Sequence, residues 1–330
     1  MGSQSDSISG EDRLIARFFA PLAREPGALG LADDAAVIAP PADCDLVLKT
    51  DAIVGGVHFF VEDEAGDVAR KALRVNLSDL AAKGATPLGF LLSLALPASA
   101  DERWLAAFAE GLRADAAHYR CPLFGGDTVR TPGPTAVSVA VIGSVPKGRM
   151  VRRAGARPGD LVFVTGTIGD AALGLALRRG ASWALNHALG AHLRARYALP
   201  QPRLALIDAL RAHASAAMDV SDGLIGDLAR LCRVSGVAAV VMAGRVPLSE
   251  AAAAAVAADP TALEIALTGG DDYEVLCTVP PDQAAGFRAA AAAAGVAVSE
   301  IGTIEPGTAV RCLDAEGRAL SFRRAAFSHF

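Results

Sequence analysis

The sequence predicts a two-domain protein built from mixed α and β layers. Its 330 residues exceed one typical domain, and helix-like apolar spacing alternates with short apolar runs that are typical of strands. Few segments form strict strand–helix–strand units, so α+β layers with a mixed sheet and a doubly wound sheet both fit the pattern. A stretch rich in Pro, Gly and Arg at residues 146–160 predicts a boundary between domains 1–147 and 148–330.

In the first half, apolar periodicity predicts helices at 11–24, 67–83 and 102–119. Strands are predicted at 46–48, 88–96, 123–124 and 136–145, with a further strand entered near residue 35. We expect 46–48 to be buried and Asp51 to stand where this strand opens into a glycine-bearing loop.

In the second half, strands are predicted at 161–164, 238–242 and 273–279, with further short strands towards the end. Helices are predicted from 171 onwards, at 201–213, from the acidic segment 219–222 to about 232, at 249–258 and at 282–294.

Composition and charge exclude several classes. The net charge of −5, with no basic run and few aromatic residues, argues against nucleic acid as a partner. The longest apolar stretch, 88–100, is broken by Ser93 and Pro97 and falls short of the roughly 20 residues of a membrane span. The start resembles no secretory signal, and the five scattered cysteines form no CxxC pair, which favours a reducing, cytoplasmic location.

Aspartates recur beside strand-like runs and turns, and we interpret them as one metal and phosphate site assembled from distant parts of the chain. An acidic protein that handles an anionic substrate needs cations between them, and Mg²⁺ held by carboxylates is the usual choice. The segments are Asp33-Asp34, Lys49-Thr50-Asp51, Gly125-Gly126-Asp127, Asp219 to Asp222 and Gly269 to Asp272.

Each segment also has a structural interpretation. Ser221 or Asp222 would serve as a helix N-cap, and the two Gly-Gly-Asp segments would each fit a turn. His58 between Val57 and Phe59 could be a packed histidine, and Arg153 a solvated charge. The chain has no Gly-Lys-Ser/Thr, which argues against a P-loop enzyme, no His-Arg-Asp or Asp-Phe-Gly of a protein kinase, and no Cys and His cluster for zinc.

Longer motifs run in order along the chain. They are LADDAA at 31–36, KTD at 49–51, GVHF at 56–59, RVNLSDLAAKGA at 74–85, GGDT at 125–128, GRMVRR at 148–153, PGD at 158–160, DVSDGL at 219–224, GGDDYE at 269–274 and the terminal His329-Phe330. On these motifs the chain resembles the thiamine-monophosphate kinase family over nearly its whole length.

This resemblance implies the two-domain aminoimidazole ribonucleotide synthetase-like fold. In that fold the N-terminal domain binds metal and ATP and its mixed sheet forms a homodimer interface, while a C-terminal α/β domain completes the active site. It also implies ATP-dependent phosphorylation of thiamine monophosphate to thiamine diphosphate, the last step of thiamine diphosphate biosynthesis. We expect phosphoryl transfer to be direct and in line, assisted by several Mg²⁺ ions and without a dedicated base.

Residue by residue, the resemblance implies roles for named side chains. The implied Mg²⁺ ligands are Asp34, Thr50, Asp51, Asp79, Asp127, Asp219 and Asp222. ATP would be bound by Gly126, Asp127, Arg153 and Ser221. Thiamine monophosphate would be bound by His58, Asp271 and Phe327.

Four positions depart from the family pattern. Ala32 stands where glycine is usual, Asp271 where Glu is common, and Phe327 where Tyr or Trp is common. Lys49 stands where a hydroxyl residue often contributes to a metal site, so its ammonium either displaces one Mg²⁺ or points away.

Alternative functions remain open at this point, both among enzymes of the implied fold and among non-catalytic proteins. Aminoimidazole ribonucleotide synthetase, selenophosphate synthetase and the hydrogenase-maturation carbamoyl dehydratase share the implied fold. Selenophosphate synthetase uses a reactive Cys or Sec near its start, whereas the first 43 residues here contain no cysteine. A non-catalytic nucleotide or metal sensor, or a dimerisation module, would belong to a different class.

Overall fold

The computed structural model describes residues 13–323, and the chain divides into two compact units. The first unit contains the residues up to Asn76 together with Pro87–Ser144. The second contains Leu77–Thr86 together with the residues from Val145 onwards. Within residues 13–323, no helix combines the length and the apolar character needed to cross a membrane.

The first unit is built on a four-stranded sheet. Its strands are β1 (Cys44–Val54), β2 (Thr86–Leu96), β3 (Leu123–Arg130) and β4 (Ala136–Pro146), in the order β1-β4-β2-β3. Strands β2 and β3 pair in parallel, and Asp127 lies opposite Ser93. The helices are α1 (Ala65–Ala82), which begins in this unit, and α2 (Glu102–His118).

Strand β1 is longer and more exposed than predicted. It forms an edge of the sheet and continues to Val54, so Asp51 lies inside the strand rather than at its end. Val47 is buried, whereas Leu46 and Leu48 on the other face are 44% and 72% exposed. The apolar run at 46–48 is therefore not buried on both faces, because successive side chains of a strand point to opposite sides.

The segment before β1 also differs from the prediction. In place of a helix at 11–24, a short π-helical turn (Ile15–Phe19) is followed by the 3₁₀ turns Ala20–Leu22 and Pro26–Leu31. Pro21 and Pro26 explain the interruption, since proline lacks the N–H that continues a helix. Residues 32–43 form no strand. Buried Phe18 and Phe19 anchor the turn.

The second unit is built on a six-stranded mixed sheet. Its order is β10-β7-β9-β5-β8-β6, with β10 and β7 parallel and the remaining neighbours antiparallel. The strands are β5 (Leu161–Thr165), β6 (Ala216–Asp219), β7 (Ala238–Met242), β8 (Val275–Val279), β9 (Val298–Glu305) and β10 (Val310–Leu313). The mixed α/β architecture predicted from the sequence is confirmed.

Seven helices accompany this sheet in the described chain. They are α3 (Asp170–Arg178), α4 (His187–Ala198), α5 (Ile207–His213), α6 (Leu224–Ser235), α7 (Glu250–Ala258), α8 (Ala262–Thr268) and α9 (Ala284–Ala293). Strand β5 shows how they pack. Val162 and Val164 belong to a core cluster with α6, while Phe163 belongs to another with α5 and α9. Helices therefore cover both faces of the sheet.

Candidate active site

A cavity of about 660 Å³ lies within the first unit, between the segment before β1 and strands β2 and β3. It is lined by apolar side chains, among them Phe19 and Phe124, and by Asp33, Asp34 and Asp127. Pockets that are mostly apolar, with a few polar groups, are typical of small-molecule sites. The structure therefore brings two predicted metal ligands, Asp34 and Asp127, to one cavity.

Gly126 explains how Asp127 reaches this cavity. The Gly-Gly-Asp segment lies inside strand β3, so the expectation of a turn there is wrong. A Cβ on Gly126 would lie 1.8 Å from the carbonyl oxygen of Leu92 on β2. Only glycine permits this approach of the two strands. Gly126 itself also lines the cavity.

Strand β1 presents Lys49 and Asp51 on one face and Thr50 on the other. The Lys49 Nζ lies 3.1 Å from Asp51 Oδ1, so the ammonium contacts this carboxylate rather than pointing away. The Asp51 N–H donates to Asn76 Oδ1 at 2.8 Å, which fixes the strand against α1. The Thr50 hydroxyl lies 3.4 Å from Ser138 Oγ on β4. The part of Thr50 in metal binding stays a prediction.

His58 follows β1 and is half-buried. Its Nδ1 accepts the N–H of Val54 at 3.0 Å, and its carbonyl oxygen accepts from Lys71 Nζ at 2.9 Å. A neutral imidazole whose Nδ1 accepts a hydrogen bond carries its proton on Nε2. The ring can therefore offer a donor through Nε2.

In the second unit, Asp219 ends β6, and Ser221 and Asp222 lie between β6 and α6. The helix begins after Gly223 without a side-chain cap, so neither Ser221 nor Asp222 is the N-cap. The buried carboxylate of Asp227 instead accepts the N–H groups of Ser221 at 3.0 Å and Asp222 at 2.9 Å. The loop conformation is thereby fixed from within the helix.

Arg230 joins the carboxylate of Asp222 in this loop to that of Asp227 on α6. Its Nη1 donates to Asp222 Oδ2 and, at 2.7 Å, to Asp227 Oδ1. Burial raises the pKa of Asp227, and the N–H of Asp222 and the Arg230 guanidinium oppose that rise. Asp222 is thus paired with an internal cation in this structure.

The second Gly-Gly-Asp segment, at 269–271, lies directly beside the acidic loop 219–222. The N–H of Asp271 donates to the carbonyl oxygen of Ser221 at 2.9 Å. A Cβ on Gly270 would lie 2.2 Å from that same oxygen, so here the glycine allows the backbone approach that the sequence predicted. Ser78 Oγ, next to the half-buried Asp79 on α1, donates to the carbonyl oxygen of Tyr273 at 3.3 Å.

The remaining predicted residues are less informative. Arg153 is exposed, and Phe327 lies outside the described residues, so its stacking role stays a prediction. Across residues 13–323, no three His, Cys, Asp or Glu side chains lie close enough to hold one metal ion together. The donors in each unit are carboxylate and hydroxyl oxygens, which suit Mg²⁺ rather than a softer metal.

Sequence reasoning missed three functional candidates, Asp227, Arg230 and Glu274. Asp227 and Arg230 read as ordinary residues of an amphipathic helix. Glu274, at the end of the motif 269–274, is fully buried, and its partners lie on distant elements. An acid flanked by apolar residues at a strand start was the only signal available for it.

The comparisons with known proteins cover almost all of the chain. Residues 32–145 match the family described as AIR synthase related protein, N-terminal domain, and residues 157–314 match AIR synthase related protein, C-terminal domain. A thiamine-monophosphate kinase of Caulobacter vibrioides is 49% identical over 300 residues, which cover 90% of this chain and 84% of that protein.

Two solved structures resemble this chain in both fold and sequence. The crystal structure of thiamine-monophosphate kinase from Stenotrophomonas maltophilia K279a superposes with a TM-score of 0.83 at 41% identity, over 94% of this chain and 96% of that chain. AaThiL complexed with AMPPCP and TMP superposes with a TM-score of 0.78 at 31% identity, over 90% and 91% of the two chains.

Proposed function

The chain belongs to the AIR synthase related family and, within it, to the thiamine-monophosphate kinases, and on this premise we propose how it uses ATP to phosphorylate thiamine monophosphate. The identity to such a kinase over 90% of the chain carries the proposal. The cavity in the first unit, with its apolar and acidic parts, supports it from the geometry.

In the first unit, the cavity is suited to ATP. Its apolar side chains would contact the base, and Gly126, which also lines the cavity, would contact ATP there. Asp34 and Asp127 line the same cavity and would bind Mg²⁺. We also assign Mg²⁺ binding to Asp51 and Thr50 and substrate binding to His58, whose ring is oriented by the N–H of Val54.

In the second unit, three aspartates would bind Mg²⁺: Asp79, Asp219 and Asp222. Ser221 and Arg153 would bind ATP, and Asp271, adjacent to Ser221 through its backbone hydrogen bond, would bind thiamine monophosphate together with Phe327. We propose functional domains with the bounds predicted from the sequence, 1–147 for metal, ATP and dimer formation and 148–330 for completing the active site, with Leu77–Thr86 of the first domain packed in the second compact unit.

The reaction follows from the charges of the reactants. ATP and thiamine monophosphate together bring roughly six negative charges, counting a phosphate monoester near −2 at neutral pH. An oxygen of the substrate phosphate attacks the γ-phosphorus of ATP, the bond from that phosphorus to its bridging oxygen breaks, and ADP leaves. The attacking phosphate is already ionised, so no protein base is required. Bound Mg²⁺ would supply the positive charge that offsets this repulsion and stabilises the transferred phosphoryl group.

We further propose a homodimer formed through the sheet of the first unit. Leu46 and Leu48 are exposed on the edge strand β1, where an unprotected apolar strand invites pairing with another chain. Sedimentation of Leu48→Lys should show monomers. Val61→Lys is the control, because Val61 is 79% exposed but lies in no strand. A dimer that survives in Leu48→Lys would refute this interface.

An acceptor panel tests the function. The purified chain is mixed with ATP, Mg²⁺ and, in turn, thiamine monophosphate, free thiamine and other phosphorylated acceptors, and the release of ADP is measured. Release should depend on thiamine monophosphate. ATP binding without turnover on any acceptor would favour the sensor, and release with a different acceptor would favour a related synthetase.

A further inference from the structure

Glu274 is the centre of a buried ionic cluster in the second unit. Its side chain is fully buried and accepts four hydrogen bonds. Thr165 Oγ1 donates to Oε2 at 2.6 Å, and Arg196 Nη2 donates to Oε1 at 2.8 Å. Arg203 donates through Nε to Oε2 at 2.6 Å and through Nη2 to Oε1 at 2.5 Å. Four donor atoms from three residues fix this carboxylate in one position.

Asp272, two residues earlier, is held in a similar way. Its Oδ2 accepts the N–H of Gly169 at 2.7 Å, and its Oδ1 accepts the N–H of Ala171 at 3.2 Å, at the start of α3. Complete burial raises the pKa of Asp272 well above its usual range, and the two N–H donors oppose that rise. Alternate side chains of the segment 271–274 are thus locked into the protein interior.

The residue that precedes each of these anchors adopts a strained backbone. Asp271 has a φ of 71° and Tyr273 a φ of 51°, in the left-handed region that side-chain-bearing residues rarely adopt. Such strain persists only where the surroundings over-determine it, and it is concentrated at functional sites. Asp272 and Glu274 supply the restraint here, because each follows a left-handed residue and is anchored in the interior.

The strained segment is tied to the acidic loop 219–222. Tyr273 donates its N–H to the carbonyl oxygen of Val220 at 2.8 Å, and Val220 donates its N–H to the carbonyl oxygen of Glu274 at 2.8 Å. With the bond from Asp271 to Ser221, three backbone hydrogen bonds set the position of Asp271 against this loop. Any shift of Glu274 is therefore transmitted to both.

We propose that Glu274, Arg203, Arg196 and Asp272 are positioning residues that hold Asp271 in the conformation that binds thiamine monophosphate. This inference rests on the proposed function and on the role assigned to Asp271. We assign none of the four a contact with the substrates. They act by keeping the left-handed turns at Asp271 and Tyr273, which would otherwise relax to ordinary backbone.

The test uses the full chain and compares KM for thiamine monophosphate, KM for ATP and kcat. Arg203→Lys keeps the charge but loses the planar fork that grips Glu274. Glu274→Gln keeps the shape but loses the charge. The matched control is Asp160→Asn. Asp160 is also a buried carboxylate of this unit, and it accepts a hydrogen bond from Ser215 Oγ at 2.6 Å. It lies directly before β5, at the opposite end of that strand from Thr165.

We expect Arg203→Lys and Glu274→Gln to raise KM for thiamine monophosphate roughly tenfold or more, since small displacements of a binding group have large effects. KM for ATP should change less than KM for thiamine monophosphate, because Ser221 of the loop is one of four residues assigned to ATP, and Asp160→Asn should leave the KM for thiamine monophosphate unchanged. If Glu274→Gln does not fold, Arg203→Lys decides alone. Calorimetric binding of thiamine monophosphate gives the same comparison without turnover.

The inference is overturned if Arg203→Lys binds thiamine monophosphate as tightly as the wild type does. It is also overturned if the variants raise the KM for both substrates equally, or if Asp160→Asn raises the KM for thiamine monophosphate by as much as they do. Failure of the proposed function is a separate result, because the wild-type chain would then neither bind nor phosphorylate thiamine monophosphate.

Discussion

Replacing Gly126 by alanine should open the sheet at the cavity. The new Cβ would lie 1.8 Å from Leu92 O, and ordinary contact begins at 3.4 Å, so the strands must separate by about 1.6 Å. A backbone hydrogen bond of about 2.9 Å does not survive such a shift. Loss of two or three bonds between β2 and β3, at about 1 kcal/mol each, predicts a destabilisation of about 2–3 kcal/mol.

The neighbouring glycine provides the control. A Cβ on Gly125 would lie 3.5 Å from Leu91 Cδ2, which is ordinary contact, so Gly125→Ala should stay within about 1 kcal/mol of the wild type. Both variants are unfolded thermally and titrated with a non-hydrolysable ATP analogue. Gly126→Ala should melt earlier and bind the analogue at least about tenfold more weakly, because Asp127 moves with the strand. Equal melting and equal binding of the two variants would refute this reasoning.

Three further predictions concern charge and thiols. Asp51→Asn and Asp127→Asn should each lower kcat at least about 100-fold without shifting the melting temperature. Near-normal activity of either variant would contradict Mg²⁺ binding by the replaced aspartate. In calorimetry, Lys49→Ser should bind Mg²⁺ about tenfold more tightly than the wild type or Lys49→Arg, because an ammonium 3.1 Å from Asp51 competes with the ion. Equal Mg²⁺ affinity of the three proteins would contradict this competition. Native protein should react with a thiol reagent only at half-buried Cys44. Burial raises the pKa of the other four thiols, to about 12 for Cys121, to about 11 for Cys232 and Cys312, and above the ordinary value for Cys277. Fast modification of a second cysteine before unfolding would contradict the packing.

The sequence predicted elements well where the apolar pattern was regular. Strand β7 (Ala238–Met242) was predicted at its observed bounds, and α1, α7 and α9 within two residues. Helix α4 (His187–Ala198) was missed because it buries only Gly190, Leu193 and Tyr197, which leaves little periodicity to detect. The short helix α8 (Ala262–Thr268) was missed as well.

The candidate site was predictable in part. The motifs located Asp34, Asp127 and the loop 219–222, and the glycine at 270 predicted a close backbone approach. The partners of these residues were not predictable. Arg230 on α6 reaches Asp222 in the loop eight positions before it, and Arg203 reaches Glu274 across 71 positions of sequence. Such pairs depend on tertiary packing, which no local pattern records.

The most direct measurement compares the amount of thiamine diphosphate formed with the amount of ADP formed. The purified chain is incubated with thiamine monophosphate, ATP and Mg²⁺, and thiamine diphosphate and ADP are quantified by chromatography, with Asp127→Asn as the matched variant. The account predicts equal amounts of thiamine diphosphate and ADP from the wild type and neither from the variant. ADP without thiamine diphosphate, or the same yield from Asp127→Asn, would contradict it.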